Sequence, residues 1–195
     1  LAFSLSDFMR IGSPLKVTPP VKPEPNREQL WQALTDGSLS FVASDHAPAP
    51  AEQKNTGSIW TDYAGIPGSG TLFPYLFSEG YKGGRLTLQQ LLAVTSGNAA
   101  RRYGIGDRKG ALAVGLAGYC VLVDPAAAWT VRGDRFLSKG KITPFEGMRL
   151  RGAVVRTIVR GSTVYERDRG ICVDPGYGRH LRRRRLSLGR RSNGR

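Results

Sequence analysis

The 195 residues are 40% hydrophobic and 23% charged, an ordinary globular composition that excludes a disordered chain. No apolar run approaches the roughly 20 residues a bilayer span needs, and no basic-then-apolar signal peptide opens the sequence, so a soluble, cytoplasmic protein with no membrane partner is expected. A formal charge of +14 would suggest nucleic acid, but residues 179–195, RHLRRRRLSLGRRSNGR, hold eight arginines and no acid, leaving +6 for the rest.

The chain begins at Leu1 rather than methionine, as though entered inside an element, so a fragment is expected. Residues 1–13 suggest a short helix with Ser6 and Asp7 as caps, Phe8, Met9 and Ile11 as its apolar face and Gly12 as its stop. PLKVTPP reads as a strand ended by its prolines. In VKPEPNREQLWQALTDGSLS a helix is expected with Asn26 as N-cap, Leu30, Trp31 and Leu34 on one face, and Asp36-Gly37 at the end. LSFVAS reads as the next strand, completing the strand–helix–strand unit of a parallel sheet.

Residues 40–54, SFVASDHAPAPAEQK, end this apolar run in Ser-Asp-His-Ala-Pro, the pattern of a strand delivering a polar side chain to the mouth of a site. A polar loop to about residue 62 follows, then YAGIPGSG as a tight, preorganised turn. Residues 71–80 and 87–95 are helical by spacing, with Thr87 capping the second, and SGNAARRYGI is a further helix closed by Gly104.

Residues 105–178 change character: β-branched segments broken by glycines predict an antiparallel module, with VVRTIVRGSTVYE a hairpin turning at Arg160-Gly161-Ser162. Two cysteines, Cys120 and Cys172, are too few for a disulfide framework and are expected as reduced, buried thiols. The arginine tail, 179–195, with His180, is expected to be solvated and disordered rather than a nucleic-acid-binding arm.

The blocks LKVTPP, DGSLSFVASDHAP, AGIPG, LTLQQLLAVTSGNAARRYGI, KGALAVG, YCVLVD and TPFEGMRLRGAVVRTIVRGSTVYE run collinearly over almost all of residues 1–178. They resemble the cyclic amidohydrolases, the group of dihydroorotases, dihydropyrimidinases (hydantoinases) and allantoinases. The resemblance implies an α/β fold: the C-terminal part of a distorted (β/α)8 barrel over residues 1–104, with FVASD as strand eight and LKVTPP near strand seven. Residues 105–178 would be the C-terminal part of a small β-sandwich.

The resemblance also implies a chemistry. Such enzymes hydrolyse a cyclic amide or imide with one or two divalent metals, usually zinc, which activate a water and polarise the ring carbonyl. Asp45 matches the aspartate that binds metal, takes the proton from the attacking water and passes it to the leaving nitrogen. His46 is expected to support this carboxylate rather than to bind metal. Thr18 occupies the place of a side chain or backbone group that bonds the ring amide, and Ala64 and Gly65 match a segment presenting backbone groups to the ring.

The family's remaining ligands, two histidines on strand one, a lysine and two further histidines, are not in this chain. The 195 residues are therefore expected to be inactive alone, the parent being the enzyme and a dimer or tetramer. Dihydroorotases commonly continue the motif to a histidine that contacts the substrate carboxylate. That position is Ala49 here, which counts against dihydroorotate. The competing expectation is a non-catalytic, amidohydrolase-like assembly protein.

Overall fold

The computed structural model describes residues 1–183. Helix α1 (Leu5–Ile11) is capped one residue pair earlier than the sequence suggests. Ser4 is its N-cap and its backbone N–H donates to Asp7 Oδ2 at 2.9 Å, which holds the Asp7 carboxyl below its usual range, while Ser6 only shares its hydroxyl with Ser4. Gly12 ends the helix at φ 72°, a left-handed conformation natural to glycine.

Helix α2 (Glu24–Thr35) starts after Pro23, not at Asn26, because Pro25 in the first turn already has the φ a helix needs and lacks only an N–H that would have no partner. Trp31 and Leu34 are buried as expected, whereas Leu30 lies at the margin of that face and stays exposed. A single-turn helix, α3 (Ala51–Lys54), interrupts the expected loop. Helix α4 (Leu72–Tyr75) widens into a π-turn at Leu76–Tyr81; α5 (Leu88–Leu92) does the same at Ala93–Gly97 before α6 (Asn98–Arg102). Thr87 caps α5 as expected, its Oγ1 accepting from Gln90 N. Within the second π-turn Thr95 Oγ1 bonds back to the Leu91 carbonyl at 2.7 Å, the kind of side-chain competition that loosens a helical ladder.

The two expected strands before residue 50 do not form. PLKVTPP is a 3-10 turn (Ser13–Leu15) followed by irregular chain, and residues 40–45 carry no ladder. A strand exists only through its neighbours. Here Val42 N bonds Val94 O, and one parallel bridge joins His46 to Ile66.

The four strands β1 (Cys120–Thr130), β2 (Arg149–Val159), β3 (Ser162–Glu166) and β4 (Gly170–Ile171) form an antiparallel meander in that order. Val159 faces Ser162, so the hairpin loop is only Arg160-Gly161, at φ 52° and 81° as a two-residue turn of that hand requires. In β1 the register shifts between Asp124 and Ala128, where Asp124 Oδ1 accepts from the N–H groups of Ala126 and Ala127. Both thiols are free but only half-buried, against expectation.

Two apolar clusters make the core. Trp31, Leu34, Leu76, Phe77, Leu86, Leu91 and Val94 gather the helices; Val131, Phe145 and Leu150 gather the sheet end. Tyr75 packs against both and its phenol is pushed up to about 12 by burial. The helix carrying Phe77 docks on β2 so closely that a Cβ at Gly152 would lie 2.3 Å from the Phe77 ring, and buried Ser78 accepts from Arg151 N through its Oγ and from Arg151 Nη2 through its carbonyl. Of the basic tail, residues 179–183 are irregular, with His180 exposed and Arg182 O accepting from Arg108; the rest lies outside the described residues.

Candidate active site

Three short segments meet at the residues singled out from the sequence. Gly65 N–H donates to Lys16 O at 3.0 Å, tying the Ala64–Gly65 turn to the segment that carries Thr18. Ala47 N–H donates to Ile66 O at 3.0 Å, tying the same turn to the end of the Asp45 segment. The approach is close enough to demand glycine twice: a Cβ at Gly65 would lie 2.6 Å from Ala47 O, and one at Gly68 2.3 Å from Ser44 O. The structure thus joins the segment carrying Thr18 to the Ala64–Gly65 turn, and that turn to the segment carrying Asp45 and His46, through backbone bonds rather than packing.

Asp45 adopts φ 43°, one of two non-glycine residues in the left-handed region among the described residues. Such a conformation for a non-glycine residue needs support from its surroundings and is enriched at functional sites. Its side chain is exposed and makes no hydrogen bond or ion pair with the described residues. The next residue supplies the support. His46 Nδ1 accepts from both Gly68 N and Ser69 N at 3.1 Å, which places the imidazole proton on Nε2 and clips the peptide after Asp45 to the glycine turn. Thr18 is exposed, with its hydroxyl unbonded among the described residues, and lines an apolar cavity of about 420 Å³ that Leu5, Phe8, Ile59 and Trp60 also border.

The loop between the two motifs is more structured than its polar sequence suggests. Lys54 is 1% exposed and donates to Ser13 O at 3.2 Å and Lys16 O at 3.0 Å. Ser13 Oγ donates to the Lys54 carbonyl, and Lys16 Nζ reaches the carbonyls of Ile59 and Asp62. Asp62, also buried, accepts from Thr56 N and Thr56 Oγ1; its bonds to Ser13 and Thr56 keep its carboxyl below the usual range. Sequence reading missed this web because nothing in AEQKNTGSIWTD marks a buried lysine; its partners lie 38 and 41 positions away.

A metal needs several such donors. Asp45, free and exposed, is a hard anionic oxygen that suits zinc or another divalent ion as one ligand. Among the described residues no group of three or more His, Cys, Asp and Glu could hold an ion, and His46 Nδ1 is already occupied. This chain's residues fit a metal only as the contributors of one carboxylate. Ala49, at the position of the expected dihydroorotase histidine, is 3% exposed, and Gly140 lies so close to its backbone that a Cβ there would stand 2.5 Å from Ala49 O.

Helices packed on an antiparallel meander, with an exposed carboxylate at a glycine turn, make this an α/β chain, and comparison with known proteins gives its family. Residues 16–164 match the amidohydrolase family. The chain is 37% identical over 185 residues to an allantoinase of Rubrobacter xylanophilus, covering 95% of this chain and 40% of that one. It is 36% identical over 182 residues to a dihydroorotase of Halobacterium salinarum, covering 93% and 42%. The solved L-hydantoinase (dihydropyrimidinase) from Arthrobacter aurescens superposes with a TM-score of 0.85 at 34% identity, covering 89% of this chain and 39% of that structure. The chain belongs to the amidohydrolase family. It spans about two fifths of the length of these relatives.

Proposed function

We propose that the protein carrying this chain hydrolyses the C–N bond of a cyclic amide or imide, a hydantoin, dihydropyrimidine or related ureide ring. This chain would be the C-terminal share of its (β/α)8 barrel (1–104) and β-sandwich (105–178), with a basic tail (179–195), in a cytoplasmic dimer or tetramer. The reading rests on one observation above the others: Asp45, in a left-handed conformation, is presented unpaired at the point where the Thr18, Asp45 and Gly65 segments are bonded together.

Asp45 would hold one position of a divalent metal, zinc by resemblance, with the other ligands supplied from outside this chain; such a metal activates water and polarises the carbonyl when bound. Asp45's second oxygen accepts the proton released as water attacks and returns it to the ring nitrogen as the C–N bond breaks. His46 fixes the peptide of that carboxylate, and the Thr18 hydroxyl with the backbone of Ala64 and Gly65 orients the ring. The buried methyl of Ala49 offers no cation or donor for a ring carboxylate, so a neutral ring is preferred over dihydroorotate.

The test is a panel of hydantoin, dihydrouracil, allantoin and dihydroorotate presented to the whole metal-loaded protein. Ring opening is expected for at least one of the first three and at least tenfold less for dihydroorotate. Absence of ring opening with every substrate overturns the hydrolase reading in favour of an assembly role.

A further inference from the structure

The most unusual group outside the proposed catalytic set is the buried lysine of the 51–63 loop. Burying an ammonium is unfavourable unless acceptors surround it, and a loop that only needed anchoring could use an apolar side chain. Lys54 is instead aimed at two backbone oxygens of a segment 38 and 41 residues away. One of them, Lys16 O, is also the acceptor of Gly65 N–H. The same carbonyl therefore joins three things: the lysine, the turn proposed to face the ring, and the segment that carries Thr18 two residues on.

The arrangement is reciprocal. Lys54 crosses from the loop to the carbonyls of Ser13 and Lys16, while Lys16 crosses back from that segment to the carbonyls of Ile59 and Asp62. Ser13 Oγ closes the clasp on the Lys54 carbonyl, and Tyr63 N–H bonds Gln53 O at 2.7 Å, so the loop returns to Ala64 at a defined place. Asp62 provides the nearby negative charge, itself oriented by Thr56. No large apolar side chain in the loop is buried; Ile59, Trp60 and Tyr63 are exposed. Directional bonds to lysine take the place that packing holds elsewhere.

We propose that Lys54 is a positioning residue for substrate: by gripping Lys16 O beside Gly65 N–H, it sets the separation of the Thr18 segment from the Ala64–Gly65 turn, and with it the grip on the ring. This rests on the functional reading above. The role predicts a change in substrate affinity rather than in chemistry, since Asp45 is held separately through His46 and the Gly68–Ser69 amides. Burial draws the Lys54 ammonium from 10.5 to about 8, and the carbonyl pair it faces favours whatever donor form remains.

The experiment uses the whole protein, comparing wild type with Lys54→Met. Expected are a KM raised about tenfold with kcat within about threefold, and hydrogen exchange of the peptide containing Gly65 accelerated about tenfold. Exchange around Val131, whose N–H bonds Met148 O in the sheet core, stays unchanged. A variant with wild-type KM and wild-type exchange at Gly65, whatever its melting temperature, overturns the proposal and leaves Lys54 a structural anchor. Should Lys54→Met fail to fold, Lys54→Leu, likewise without a donor for Lys16 O, takes its place, and unchanged KM and exchange there overturn it equally. If the wild-type protein opens no ring, the function proposed above falls, and the exchange comparison alone decides whether Lys54 sets the turn.

Discussion

The helix–sheet body and the segment from Ser44 to Ser69 are held by different physics. In the body, Trp31, Leu34, Leu76, Phe77, Leu91 and Val94 share one apolar cluster, and a second around Val131 and Leu150 adjoins it through Tyr75. Stability there is spread over many non-directional contacts. Between Ser44 and Ser69 the one buried apolar side chain besides prolines is Ala49, and the largest fully buried side chain is Lys54. Geometry there depends on a few bonds: Gly65 to Lys16, Ala47 to Ile66, His46 to Gly68 and Ser69, and the lysine clasp. The lesson is that the two regions can be damaged separately.

The sharpest separation should come from the body. Phe77→Ala removes the ring that sits on Gly152 and should cost about 3–5 kcal/mol in urea unfolding, with ring-opening per folded molecule unchanged. A comparable loss of turnover in the folded fraction would break the division. Gly68→Ala pushes a Cβ into Ser44 O and should cost about 1–3 kcal/mol, while lowering kcat far more than Phe77→Ala does, because the strain falls beside Asp45. The check is steady-state kinetics beside unfolding of the same samples.

Smaller effects follow from charge. Burial draws Lys54 down from its usual 10.5 to about 8, with Asp62 opposing the fall and Lys16 adding to it. The unfolded chain then binds more protons between about pH 8 and 10.5, so stability rises across that window, and Lys54→Met should flatten the rise. Tyr75, whose folded value is raised, works in the opposite sense, but only once pH exceeds 10.0. A wild-type profile parallel to that of Lys54→Met from pH 8 to 10 would contradict the burial of the ammonium. Smallest of all, His46→Ala frees the amides of Gly68 and Ser69 at a partly exposed position and should cost about 1 kcal/mol. Faster exchange confined to residues 66–70 would confirm where that loss falls.

Local chemistry was readable where a residue's own neighbours decide the outcome. Thr87 with Gln90 caps α5, Gly12 stops α1, and Arg160-Gly161 makes the hairpin, each within four residues. The exposed carboxylate of Asp45 was legible because an apolar run broken by Asp-His-Ala-Pro is a local pattern, whereas the role proposed for it came from the family resemblance; the turn AGIPG was legible because glycines permit close approach. What was not legible depended on distant partners. PLKVTPP and LSFVAS have strand composition, yet composition cannot supply a ladder, and the described residues offer them isolated bonds. Lys54 stood in what read as a polar loop; two carbonyls 38 and 41 residues upstream accept its hydrogen bonds where it is buried. Leu30 shared the spacing of Trp31 and Leu34 but not their neighbours.

The most direct test of the account is turnover by Asp45→Asn in the whole metal-loaded protein, on whichever ring the wild type opens. The amide keeps size and polarity but loses the charge and the basic oxygen. We predict a fall in kcat of about a thousandfold with an unchanged melting temperature, since the Asp45 side chain has no partner among the described residues to lose. Turnover within tenfold of wild type would contradict the account, and would mean that the carboxylate at the centre of the braced turn takes no part in the chemistry.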